Sequence, residues 1–339
     1  MQGKEIQELK NHIKGAFIGI AYGDAFGMPG EMWTPEIIHQ KLGTVNEFRC
    51  GHRDNSISAK LKRGEVTDDT INSLLVLEML CANHGKVDAA IFIEKLDEWI
   101  RTSNKSAAVV GPSTAKAIEL IRSGVPMEET GKNGTTNGGA MKILPVGLAC
   151  GLRAKPELRE LAEEVAKLCM PTHGTSSAIS AACAIAAGGA LAVYGEKNIN
   201  SIIEFMQEAA VYGERYGYTW GGPSVAGRMK MGKYFADHYP ETEALSAIYT
   251  YVGTGISSTE SIPAAAALFY LAKGNPGKCA RYAANIGGDT DTIGAMACGI
   301  CGAYSGADAF DPEEVMLLEN VNDISFGELT EKIMNAVRV

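Results

Sequence analysis

Apolar positions recur at intervals of three and four along most of this 339-residue chain. In PELRELAEEVAKLC they are Leu158, Leu161, Val165 and Leu168, one face of an amphipathic helix, and Pro156 stands where a first-turn proline belongs. The same period predicts helices over 70–81, 88–100, 112–122, 198–211 and 260–272. Residues 175–193, TSSAISAACAIAAGGALAV, are small and apolar all round, the pattern of a central buried helix. Alternation is scarce. AIYTYVG at 247–253 is the best strand candidate, and one strand cannot bury a sheet face. Helical segments follow at short intervals with no Pro/Ser-rich linker, low-complexity tract or repeat, which predicts a single all-α domain over 1–339. Gly15, Gly19, Gly23 and Gly27 fall every four residues, so one helix face carries no side chains and a second helix can approach it closely.

Composition narrows the function classes. At 46% hydrophobic residues the chain can bury a large core. Forty acidic against thirty-one basic residues give a net charge of -9, without the clustered cationic face that phosphate tracking needs, so nucleic acid is not an expected partner. The eight cysteines stand mostly singly among Ala, Leu and Ile, as reduced core thiols do. Cys298 and Cys301 form a CxxC inside the apolar helical run ACGICGA; no second Cys/His pair stands at ligand spacing, so both read as buried thiols and no disulfide is assigned. GAFIGIAYG resembles a short signal core, but Glu5 and Glu8 precede it and no A-x-A site follows. No apolar run is expected to reach the length of a membrane span. Together these predict a cytoplasmic protein with no membrane partner.

Two acidic islands carry the candidate chemistry. In EVTDDTINSLL, Thr67, Asp68, Asp69 and Thr70 open a helix that runs apolar from Ile71; alone, this is an N-cap, with side-chain oxygens accepting from the first helical N–H groups. GGDTDTIGA repeats the grammar with Asp289, Asp291 and Thr292 before a helix start at Ile293. A cap uses one side-chain oxygen, while each island offers several. If the turns meet, four carboxylates converge, and like charges that close cannot all stay ionised without a cation. The donors are all oxygen, so the fitting ions are hard: Mg²⁺ or Mn²⁺.

Nearly end to end, the chain resembles the ADP-ribosylglycohydrolase family. The resemblance is carried by GAFIGIAYGDAFGMPGE, TDDT, NGGAMKILPVG, PTHGTSS, GISSTESIP and NIGGDTDTIGAMACGICGA. It implies a compact orthogonal helix bundle holding two divalent cations, Mg²⁺ or Mn²⁺, and an enzyme that hydrolyses the glycosidic bond at ribose C1. It also implies Thr67, Asp68 and Asp69 as metal ligands from one turn and Asp289, Asp291 and Thr292 from the other, with Asp291 bridging. Glu31 matches the carboxylate that assists catalysis beside the metals, with Asp68 and Asp291 joining it. Asn137, Gly138, His173 and Ile256 fall at substrate-contacting positions. Lys142 stands where the family usually has Arg.

The implied substrate is an ADP-ribosylated protein side chain or small molecule. MPGEMW and VVGPSTAKAIELIRSG resemble a bacterial branch acting on nucleosides or other small N-ribosides, which keeps that alternative open. A non-catalytic relative of the lens-crystallin kind is the third reading, and the intact acidic islands count against it. The aromatic loop YGERYGYTWGGPS suits either stacking on a base or anchoring itself by its rings. Oligomeric state stays open.

Overall fold

The computed structural model describes residues 3–103 and 111–337. The chain is all-α: 72% of it is helical, and among the described residues there is no β-strand. Helices form at Asp68–Ala82, Ala89–Thr102, Pro112–Arg122, Ile199–Gly213 and Ser258–Leu271, close to the segments that the apolar period marks. Val109 and Val110, the first residues of VVGPSTAKAIELIRSG, lie outside the described residues.

The Gly3–Gly27 helix and the Thr290–Ser305 helix pack backbone against backbone. A Cβ on Gly15 would stand 2.4 Å from the Gly302 carbonyl oxygen; on Gly19, 2.1 Å from that of Cys298; on Gly23, 2.0 Å from that of Gly294; on Gly27, 2.2 Å from that of Thr290. The four-residue glycine spacing therefore runs down one continuous antiparallel seam. Only hydrogen fits there, because any side chain would occupy the space of a carbonyl.

The Ser176–Tyr194 helix is surrounded by Leu144–Arg153, Leu158–His173, Ile199–Gly213 and the two helices Ser258–Leu271 and Thr290–Ser305. Its 19 residues are long and apolar enough to cross a membrane by length and composition, which corrects the expectation that no run reaches that length. Here 89% of that stretch is buried inside the protein. Alanines and glycines let five helices close in on it, so its uniform apolarity serves the core.

Three other expectations change. AIYTYVG is not a strand: Glu241–Ala247 is helical and passes into a wider helical turn over Ile248–Val252. Ile248 and Val252 are both fully buried while Tyr251 is 62% exposed, so the inward residues are four apart, one helical turn, not two. Pro156 lies before its helix, which starts at Leu158 after Glu157 and runs on through Pro171 to His173. The last acidic island opens its helix at Thr290, three residues before Ile293, with Asp289 at the N-cap position. All eight cysteines are free, and Cys298 and Cys301 are fully buried.

The glycine seam makes a direct prediction. Gly23→Ala is expected to cost about 1–3 kcal/mol or more in urea unfolding, because its methyl meets backbone that cannot rotate away. Gly221→Ala, whose Cβ would meet nothing within 4 Å, should leave the unfolding midpoint nearly unchanged.

Candidate metal centre

The first acidic island is fixed by a residue that the sequence reading passed over. Asp24, fully buried in the Gly3–Gly27 helix, accepts the Thr67 N–H at 3.0 and 3.1 Å, the Thr70 N–H at 3.1 Å and the Thr70 hydroxyl at 2.5 Å. Asp24 thus caps the Asp68–Ala82 helix from outside it. The Thr67 hydroxyl adds a long bond from the Asp69 N–H at 3.4 Å. The Asp68 and Asp69 carboxylates are therefore not needed for capping. The signal in the sequence was a lone acid inside the apolar run GAFIGIAYGDAFG.

The second island is set by its glycines. Gly287 and Gly288 have φ of 83° and 80°, which L side chains rarely adopt, and a Cβ on Gly288 would stand 2.3 Å from the Thr254 carbonyl oxygen. The turn is pinned on both sides. Gly288 donates to the Trp33 carbonyl at 2.8 Å and accepts from the Met32 N–H at 2.7 Å, while Asp289 donates its N–H to the Thr254 carbonyl at 2.7 Å. Pairing with Met32 and Trp33 brings the preceding residue, Glu31, beside the island.

The islands meet. The Thr292 hydroxyl donates to Asp69 Oδ2 at 3.2 Å, and the Thr67 hydroxyl donates to the same oxygen at 3.2 Å. Carboxylate oxygens of Glu31, Asp289 and Asp291 lie within 4.8 Å of one another. Asp69 Oδ1 and Asp291 Oδ1 are buried with no hydrogen-bond partner. Orphaned carboxylate oxygens at the heart of an acidic cluster are what cation ligands look like when the ion is taken away. The residues fit hard divalent cations: oxygen donors only, from both islands and Glu31, with hydroxyls of Thr67 and Thr292 in reach.

Electrostatics agree with the geometry. Burial, then the neighbouring charges of Asp289 and Asp68, pushes the Glu31 carboxyl up to about 8. Burial and Asp24 push Asp68 up to about 8. Asp69, Asp289 and Asp291 are raised by burial as well, and Asp24 by burial to about 6. Without a cation this cluster holds protons at neutral pH.

The residues around the cluster enclose a cavity of about 310 Å³. Glu31, Thr67, Asp68, Asp69, Asn137, Gly138, His173, Ile256, Asp289, Asp291 and Thr292 all line it, so tertiary folding gathers every residue expected to hold metal, act in catalysis or contact substrate, while Thr70 and Lys142 lie outside the lining. Their local roles differ. Both amide protons of Asn137 are used within the protein, on Asp289 Oδ2 at 2.5 Å and Ser261 Oγ at 3.0 Å, so Asn137 positions the Asp289 carboxylate. His173 is 1% exposed, with Nδ1 2.9 Å from the Thr172 hydroxyl and Nε2 3.1 Å from the Thr136 hydroxyl; burial and the Lys142 charge hold it well below the usual imidazole range. Gly138 lies flat against that ring, where a Cβ would be 2.8 Å from Nε2. Ile256 is 42% exposed, and its carbonyl accepts the Asn137 N–H at 2.9 Å. In the aromatic loop, Tyr218 and Trp220 are exposed, while Tyr212 and Tyr216 pack on the core.

The ADP-ribosylglycohydrolase family matches residues 5–338 of this chain. A protein of Escherichia coli (strain K12), YegU, described only as uncharacterized, is 36% identical over 316 residues, which cover 93% of each chain. The ADP-ribosyl-[dinitrogen reductase] glycohydrolase of Rhodospirillum rubrum is 32% identical over 136 residues, 40% of this chain and 43% of its own length. A solved ADP-ribosylglycohydrolase-related protein complex superposes with a TM-score of 0.71 at 22% identity, covering 98% of this chain and 99% of that one, and so shares the fold.

Proton linkage predicts how a cation acts. Carboxyls raised from 3.8 or 4.5 to about 8 keep protons in the folded chain that the unfolded chain has already lost. Across that window the metal-free protein loses stability as pH rises, and cations bind the ionised form. Mg²⁺ is therefore expected to raise the melting temperature more at about pH 8 than at about pH 5. Scanning fluorimetry with and without Mg²⁺ measures it, and equal shifts at both pH values would remove these carboxylates as the ligands.

Proposed function

Because this chain belongs to the ADP-ribosylglycohydrolase family, we propose that it is a divalent-cation-dependent hydrolase that cleaves the glycosidic bond at ribose C1 and releases ADP-ribose from a modified side chain or small molecule. The observation that carries this reading is the meeting of Asp69 and Asp291, each with an orphaned buried oxygen, beside Glu31 in one cavity. The relative from Rhodospirillum rubrum, whose name gives it an ADP-ribosyl substrate, supports the substrate class.

Thr67, Asp68, Asp69, Asp289, Asp291 and Thr292 would hold the cations, Mg²⁺ or Mn²⁺. Bound there, the cations would supply fixed positive charge that grips ribose hydroxyls and makes a nearby water more acidic. Glu31 faces the cavity, and it accepts the proton of the water that attacks C1. Asn137 keeps Asp289 aimed inward through its 2.5 Å bond. Met32 and Ile256, 47% and 42% exposed, form an apolar rim at the mouth.

A small N-riboside is the second reading, and one observation favours it. Among the described residues lining the cavity there is no Lys or Arg to meet a pyrophosphate. Release of ADP-ribose from ADP-ribosylated arginine, set against release of ribose from a nucleoside panel, separates the two.

Glu31→Gln is expected to lower kcat by about 10²–10⁴-fold, the usual worth of a general base. Its Mg²⁺-induced thermal shift should persist, since the island ligands remain. Turnover at the parent level in saturating Mg²⁺ would take the catalytic role from Glu31.

A further inference from the structure

Lys142 is 2% exposed, and among the described residues no carboxylate pairs with it: its Nζ donates to the Gly138 carbonyl at 2.6 Å and to Thr172 Oγ1 at 3.4 Å, and sits 5.4 Å over the Phe92 ring. A buried ammonium costs desolvation that two neutral acceptors repay only in part, so its retention calls for a task. The hydrogen bonds around it form an unbroken line. Thr172 Oγ1 lies 2.9 Å from His173 Nδ1, His173 Nε2 lies 3.1 Å from Thr136 Oγ1, and the Thr136 hydroxyl donates to Ser113 Oγ at 3.0 Å.

Donor chemistry gives this line a direction. An ammonium has three protons and no lone pair, so Thr172 Oγ1 can only accept from Lys142. Among the described residues the Thr172 hydroxyl has no other acceptor within reach, so its proton goes to His173 Nδ1, which is then the unprotonated nitrogen of a neutral ring. His173 Nε2 carries the ring proton and gives it to Thr136, whose own proton is committed to Ser113. We propose that Lys142 is a positioning residue that fixes His173 in the Nε2–H tautomer through Thr172, and thereby sets Thr136 on the cavity wall as an acceptor for a ligand hydroxyl.

The wall consequence follows from counting. Thr136 receives one hydrogen bond from His173 and donates one to Ser113, so a single lone pair is left for the cavity that Thr136 lines. Under the ribosyl reading above, that lone pair suits a sugar hydroxyl and repels a second acceptor. The tautomer itself stands without that reading. Burial and the nearby Lys142 charge, which hold His173 neutral, are consistent with it.

Long-range ¹H–¹⁵N correlation spectra of ¹⁵N-labelled protein test the proposal, with His173 assigned by its loss in His173→Gln. The parent is expected to show His173 protonated at Nε2 and unprotonated at Nδ1. In Lys142→Met a protonated Nδ1 signal should appear, and Lys142→Arg, which restores a charged donor, should remove it. Thr172→Val keeps the ammonium but breaks the line, and should give the same mixed tautomers; it decides the matter alone if Lys142→Met does not fold. An Nδ1–H ring in the parent, or an unaltered Nε2–H ring in Thr172→Val, would overturn the proposal.

Discussion

Backbone contact along the glycine seam is the constraint on which the site depends. The Gly3–Gly27 helix lies so close to the Thr290–Ser305 helix that carbonyls occupy the places of side chains at four successive turns. That approach sets the depth at which the last island enters the structure. It continues at the end of the seam, where the Thr290 hydroxyl donates to the Gly27 carbonyl at 2.7 Å. Three residues before Gly27, Asp24 caps the other acidic helix, and four residues after it the chain reaches Glu31. One helix thus aligns all three groups of acids.

The acids gathered in this way oppose folding. Five carboxyls of the cluster are raised by burial first, and mutual repulsion adds to that for Glu31, Asp68, Asp69 and Asp291. Such a cluster is tolerated when the surrounding packing over-determines it, and the apolar Ser176–Tyr194 helix and its neighbours provide that rigidity. Protons or divalent cations neutralise the charge, so relief of the mutual repulsion contributes to affinity for an ion.

Helices were legible because their signal is local. The three-and-four period marked the amphipathic segments, and glycine spacing marked a close-packed face. The errors arose where a short pattern serves two structures. Residues 247–253 combine β-branched and aromatic types that suit a strand, yet Ile248 and Val252 face inward one helical turn apart. Pro156 was placed inside a helix whose first residue is Leu158. A 19-residue apolar helix passed as too short to span a membrane, although length and composition do not distinguish a core helix from a span. Burial on every side does.

For the site, the chain by itself determined the donors: two Asp/Thr islands, a glutamate after a glycine turn, and an all-oxygen set that selects hard cations. It could not determine what each side chain touches, because most of those contacts join residues tens to hundreds of positions apart. Asp24 carries no assigned role in the sequence, and it gains one only where Thr67 and Thr70 fold back to donate to it. Asn137 and His173 stood as substrate contacts, and folding commits the Asn137 amide to Asp289 and both His173 nitrogens to threonine hydroxyls. Residue type is written in the chain, whereas a hydrogen bond is owned by two groups, and only the tertiary structure decides which second group arrives.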